Sequence, residues 1–180
     1  MGYFSCARVP DGRGGCGERG EGVEYTREER FMCEALSEAR TAAALGEVPI
    51  GAVVVKGGEI VGRGHNLTVT RMDPTAHAET VAIREAANAL GGWRLSGCDL
   101  YVTAEPCPMC AGAIVLARLG TVYIGAMDPK AGACGSLMDI PEDPRLNHNA
   151  AVVTGVLEED CRRLLRDFFR TLRAKNADAE

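Results

Sequence analysis

Residues 99–126 read "DLYVTAEPCPMCAGAIVLARLGTVYIGA". β-Branched, aromatic and aliphatic residues crowd both ends, and two prolines open a run of small and aliphatic residues between them. The pattern predicts a strand over 99–105, a helix over 108–120 and a second strand over 121–126. Pro106 and Pro108 suit the helix start, where the N–H that proline lacks would have no partner in any case. A strand–helix–strand unit of this kind lays its strands parallel, joined by a right-handed crossover.

Upstream, Thr26 with Glu29 at capping-box spacing predicts a helix start. Phe31, Met32, Ala35, Leu36, Ala39 and Ala43 follow near helical period, and Gly46 is the stop. Residues 49–66, "PIGAVVVKGGEIVGRGHN", read as two antiparallel strands joined by a tight Gly-Gly turn. Residues 75–92, "TAHAETVAIREAANALGG", read as a second helix closed by glycines. Downstream, residues 127–149 are loop-rich and "AAVVTGV" at 150–156 is a fifth strand. Leu157, Cys161, Leu164, Leu165, Phe168 and Leu172 then form one face of a last helix. The order α-β-β-α-β-α-β-β-α predicts an α/β fold, a three-layer α/β/α sandwich around a mixed five-stranded sheet.

With 180 residues, 46% of them apolar, the chain suits one domain with a sizeable core. We expect a flexible, glycine- and charge-rich extension at 1–22, one domain over 23–175 and a disordered tail at 176–180. No apolar run is long enough to span a membrane, and the first residues lack the apolar core of a secretory signal. The expected location is cytoplasmic. There a close cysteine pair among eight cysteines points to a metal or redox site rather than a disulfide scaffold. Cys33, Cys98 and Cys161 lie in apolar-patterned segments and read as packed thiols. The net charge of −5 argues mildly against a nucleic-acid partner. Six cations on the last helix (Arg162, Arg163, Arg166, Arg170, Arg173 and Lys175) still offer a local basic strip.

Cys107 and Cys110, three apart in a first helical turn, share a face and can hold one tetrahedral metal. The positive helix end favours their thiolate forms. C-x-x-C by itself also fits a thioredoxin-like redox pair or half of a structural zinc site. Of His65, His77 and His148, the informative one is His77, which heads the second helix and precedes Glu79 by two residues. One imidazole and two thiolates leave a zinc ion one open position, the mark of a catalytic site. Two thiolates cancel the ion's formal charge, so a carboxylate that takes the proton of water should help, and Glu79 is placed to do so. Residues two apart on a regular helix face opposite ways, however. His77 and Glu79 can share one metal only if it lies beyond the helix end.

"HAE" followed about thirty residues later by "PCPMC" resembles the zinc-deaminase signature H-x-E…P-C-x-x-C. The likeness continues through "VPIGAVVV", "GHN", "DPTAHAE", "WRL", "LYVTAEPCPMCAGAIVLAR", "GAMDPKAGACGSLMDI", "LNH" and "FFR", roughly residues 25–173. These segments resemble the bacterial tRNA adenosine deaminases, of cytidine deaminase-like fold. The resemblance implies hydrolytic conversion of wobble adenosine to inosine in an arginine tRNA, with a homodimer binding the anticodon stem-loop. It implies one Zn²⁺ per subunit on His77, Cys107 and Cys110, with Glu79 as proton shuttle. It also implies that Asn66 binds the extruded base, that Ala78 and Cys107 lend backbone groups, and that Val48 and Pro49 line the pocket. Asp128, Lys130 and Asn147 or His148 would meet flanking nucleotides, and Arg170 and Arg173 would meet phosphates. The rival is a deaminase of free guanine, cytosine or nucleosides. A further rival is a non-catalytic zinc or redox module.

Overall fold

The computed structural model describes residues 24–177, so the extension expected at 1–22 lies outside the described residues. The elements run α1 (Arg27–Ala44), β1 (Gly51–Lys56), β2 (Glu59–His65), α2 (Thr68–Arg71), α3 (Ala78–Leu90), β3 (Cys98–Ala104), α4 (Pro108–Ala117), β4 (Thr121–Ala126), β5 (Ala151–Thr154) and α5 (Glu158–Ala177). One five-stranded sheet has the order β2-β1-β3-β4-β5. β1 pairs antiparallel with β2 and β3, while β3, β4 and β5 are mutually parallel neighbours. This is the expected mixed sheet.

Local signals account for much of this. Thr26 and Glu29 form the reciprocal capping box that starts α1. Gly57 and Gly58 both take positive φ, 59° and 88°, at the β1–β2 turn. Strand alternation then sorts the core into two layers. Ala52, Val54, Leu100, Val102, Val122 and Ile124 pack on α3 and α4. Val53, Val55 and Tyr101 face the other way, onto Phe31, Met32 and Leu36 of α1, Leu157 just before α5 and Cys161 within it. Cys98 and Cys161 are buried free thiols, as expected. Cys33 is half-buried against the second cluster.

Two departures from expectation have physical causes. α3 begins at Ala78, after the two-residue bend from Asp73, whose carboxylate accepts hydrogen bonds from the Thr75 amide and hydroxyl. α4 ends at Arg118 in the left-handed region (φ 63°), two residues before Gly120. Arg118 donates a hydrogen bond to the Asn147 carbonyl at 2.7 Å, a tertiary contact that helps offset the backbone strain. α5 runs to Ala177, two residues into the expected tail, and 178–180 lie outside the described residues. No described helix is long and apolar enough to cross a membrane.

Candidate active site

The sheet topology gathers several chain segments at one edge. The entry to β1 and the exits of β2, β3, β4 and β5 all lie there, because β1 alone runs the other way. Buried polar residues mark the same edge. Among the described residues the buried polar or charged ones are Glu47, Asn66, Glu79, Thr103 and Glu105; four lie within a few residues of a strand end at this rim, and Glu79 lies in the first turn of α3. Burying polar groups is costly, so their concentration at one place points to a working site.

α3 and α4 both start at this edge. His77 is the N-cap of α3 with extended backbone (φ −77°, ψ 155°), and Cys107 is the N-cap of α4 (φ −71°, ψ 172°). His77 is therefore outside the helix, and the objection to His77 and Glu79 sharing a metal disappears. His77 Nδ1 lies 3.7 Å from Cys107 Sγ and 3.6 Å from Cys110 Sγ. All three ligand atoms fall within 4.8 Å of one another, and they form the one such group among the described residues. Tetrahedral zinc with Zn–S near 2.3 Å and Zn–N near 2.0–2.1 Å requires N···S separations of about 3.6 Å. The donor set thus fits the ion.

The electrostatics agree. The Cys110 side chain donates to Cys107, and this hydrogen bond, against burial, lowers the Cys107 pKa to about 5. Cys110 is pushed far up by the same bond and by burial. The thiolate form favoured at Cys107 is the one that binds a metal ion. Glu79 is 4% exposed, and burial raises its pKa despite the nearby His77. A carboxyl whose hold on a proton is strengthened by burial suits proton transfer. The Ala78 amide, first in α3, is one of the N–H groups the helix leaves unpaired.

Two glycines let α3 come this close. Gly62 and Gly64 lie on edge strand β2 against α3, and a Cβ on Gly64 would overlap the Ala78 carbonyl oxygen. A Cβ on Gly62 would overlap the Ala82 carbonyl, one turn further from the metal cluster. Gly64→Ala and Gly62→Ala should each lower stability by roughly 1–3 kcal/mol through overpacking. Only Gly64→Ala displaces the turn holding His77 and Glu79, and it should weaken zinc affinity at least about tenfold. Melting curves and zinc titration of both variants check this. Equal zinc affinity in the two would refute it.

Comparison with known proteins follows the geometry. A family model described as MafB19-like deaminase matches residues 26–173. The tRNA-specific adenosine deaminase of Bacillus subtilis (strain 168) is 55% identical over 154 residues, covering 86% of this chain and 96% of that protein. The chain belongs to the tRNA-specific adenosine deaminase family. A solved structure from a study of A-to-I editing by tRNA:A34 deaminases is 48% identical, with TM-score 0.73, and covers 75% of this chain and 98% of its own. The guanine deaminase of Bacillus subtilis is 46% identical with TM-score 0.53, over 55% of this chain and 64% of its own.

In this deaminase the other expected residues fall into two groups. Asn66, Val48 and Pro49 line the same edge as the metal cluster, Pro49 buried and Val48 half-buried. The Asn66 amide donates to the Ile50 carbonyl at 3.1 Å. Its Oδ1 is buried with no partner, one of two such side-chain atoms among the described residues, with the Tyr101 hydroxyl. Asp128 and Lys130 follow β4 at this edge, and the Lys130 amide donates to Asp128 Oδ1 at 2.9 Å.

Asn147 and His148 are not brought there. His148 Nε2 sits 2.7 Å from the Leu119 carbonyl oxygen, and the Asn147 carbonyl accepts from Arg118. Both lie past the far end of ten-residue α4, about 15 Å from its metal-binding start. The cause is topological: β4 and β5 are parallel, so the segment joining them must descend the whole sheet. Within one chain this pair therefore lies at the opposite sheet edge from the His77–Cys107–Cys110 group.

Four arginines of the basic strip have acidic neighbours. Arg162, Arg163, Arg166 and Arg170 pair with Glu158, Asp160, Glu159 and Asp167 on their own helix. Arg173 and Lys175 are exposed and have no ion pair among the described residues. Of the two arginines expected to meet phosphate, Arg173 is the one with an uncommitted charge.

Sequence reading missed the buried carboxylates at 47 and 105. Glu47 Oε1 accepts from the Thr70 amide at 2.6 Å, tying short helix α2 to the segment before Val48. Burial pushes its pKa up, but hydrogen bonds from Thr70 and Val69 outweigh this and hold it low. The G-x-G on β2 could have been noticed, since glycine inside a strand often marks close backbone approach.

Proposed function

We propose that this chain hydrolyses adenosine to inosine and ammonia at the wobble position of tRNA, with arginine tRNA as substrate. The observation that carries the reading is the His77–Cys107–Cys110 group at zinc-ligand spacing beside buried Glu79. Membership of the tRNA-specific adenosine deaminase family supports the substrate. His77, Cys107 and Cys110 would hold one Zn²⁺. When bound, the ion supplies the Lewis acidity that makes water a nucleophile near neutral pH.

The chain's own groups do the rest. Glu79 takes a proton from the attacking water, passes it to the purine ring nitrogen and later delivers a proton to the departing amine. The unpartnered Asn66 Oδ1 accepts a hydrogen bond from the extruded base. Val48 and Pro49 exclude water around it. The Ala78 amide at the positive end of α3 favours developing negative charge. An anticodon loop suits this site because its bases are already unpaired, which lowers the cost of flipping one out.

We infer a homodimer in the cytoplasm. Leu116 on α4 is 72% exposed, and Val69 in α2 and Met72 at its end are 75% and 91% exposed, which supports a partner surface. Sedimentation of the purified protein tests the assembly.

The decisive functional experiment treats arginine tRNA and free guanine with purified protein. Inosine at the first anticodon base, read by sequencing, with guanine left intact is the expected result. Turnover of guanine without inosine in tRNA favours the second reading, which the guanine deaminase likeness motivates.

A further inference from the structure

Glu105 ends the strand that leads into Cys107, and only 6% of its surface is exposed. Its oxygens take four hydrogen bonds, all from the segment after β4. Oε2 accepts from the Asp128 amide at 2.8 Å and the Ser136 hydroxyl at 2.5 Å. Oε1 accepts from the Cys134 and Ser136 amides, each at 3.0 Å. A Cβ on Gly132 would overlap this carboxyl group, so the loop backbone lies directly on it. No lysine or arginine pairs with Glu105 among the described residues.

A loop this long without regular structure must find acceptors for its inward N–H groups. Converging amides make a concave anion site, and here a side chain of the same protein fills it. The carboxylate's lone pairs match four donors. A glutamine offers one oxygen and turns its NH₂ toward donors it cannot accept from. The Ala133 amide extends the clasp by donating to the Pro106 carbonyl at 2.9 Å, one residue before Cys107.

We propose that Glu105 is a positioning residue whose buried carboxylate clasps residues 128–136 to the strand end bearing Cys107, fixing the pocket wall that carries Asp128 and Lys130. The inference rests on the RNA-deaminase reading for its kinetic consequence and on geometry alone for the clasp. Its effect is on substrate engagement, because the clasp orders a wall that meets the RNA and contributes no group to bond breaking. Loss of the clasp therefore appears in KM, while kcat follows the metal ligands and Glu79.

The test uses full-length Glu105→Gln and Ser136→Ala with an anticodon stem-loop, zinc analysis and amide hydrogen exchange. Glu105→Gln is expected to keep one zinc per chain and kcat within about threefold, with KM raised at least about tenfold. Ser136→Ala, which removes one donor of four, shifts KM the same way but less. In the unaltered protein the Asp128, Cys134 and Ser136 amides should exchange as slowly as those of β4, and about 100-fold faster in Glu105→Gln. Unchanged KM, a loss confined to kcat, or fast exchange of these amides in the unaltered protein would each overturn the proposal. Should Glu105→Gln fail to fold, Ser136→Ala kinetics and the unaltered protein's exchange pattern decide. If the unaltered protein edits no tRNA, the functional reading fails, and the exchange pattern still decides the clasp.

Discussion

Glu79→Gln is expected to keep one zinc per chain and to slow deamination by about a thousandfold, within the range that general acid–base catalysis supplies. Glutamine keeps the shape and the hydrogen-bonding reach but cannot carry a proton between water and substrate. Glu79 is almost fully buried, so a neutral side chain removes a charge the fold disfavours, and stability should hold or rise. Zinc analysis, a melting curve and single-turnover rates on tRNA provide the check. A rate loss below about tenfold would remove Glu79 from the proton pathway. Loss of zinc together with activity would make it part of the metal site instead.

His77→Ala is expected to abolish both zinc binding and turnover. Two sulfurs would remain with no third donor, and three-ligand catalytic sites do not survive on two. A metal bound only by the folded state also stabilises it in proportion to the logarithm of its free concentration over Kd. Chelator should therefore lower the melting temperature of the unaltered protein and leave that of His77→Ala unmoved. An equal chelator response in both would show that the ion sits elsewhere.

The strand–helix–strand reading of 99–126 and the hairpin at 49–66 carried through to the structure because each signal is local. A capping box, a Gly-Gly turn and a proline at a helix start act over four residues, and the alternation along a strand shows which side chains share a face. The candidate metal-holding group was legible for a similar reason. Cys107 and Cys110 sit within one turn, and His77 stands out because few residue types bind metal and only three histidines occur. The positions read less well depend on partners distant in sequence. Glu105 looks like any strand-end carboxylate until donors 23 to 31 residues away converge on it. Which arginines of α5 meet acids of their own helix is likewise decided by side-chain placement.

From the chain of residues, with the family resemblance they carry, came the α/β class, the strand count, the His77–Cys107–Cys110 group and the carboxylate beside it, because local spacing and side-chain chemistry mark these. Tertiary structure decided that His77 caps α3 rather than lying within it, that Asn147 and His148 sit at the far end of α4, and that Glu105 holds the loop after β4. Each depends on where separate segments meet once the sheet order is set, and the free energy of such meetings is spread over contacts that no short window contains.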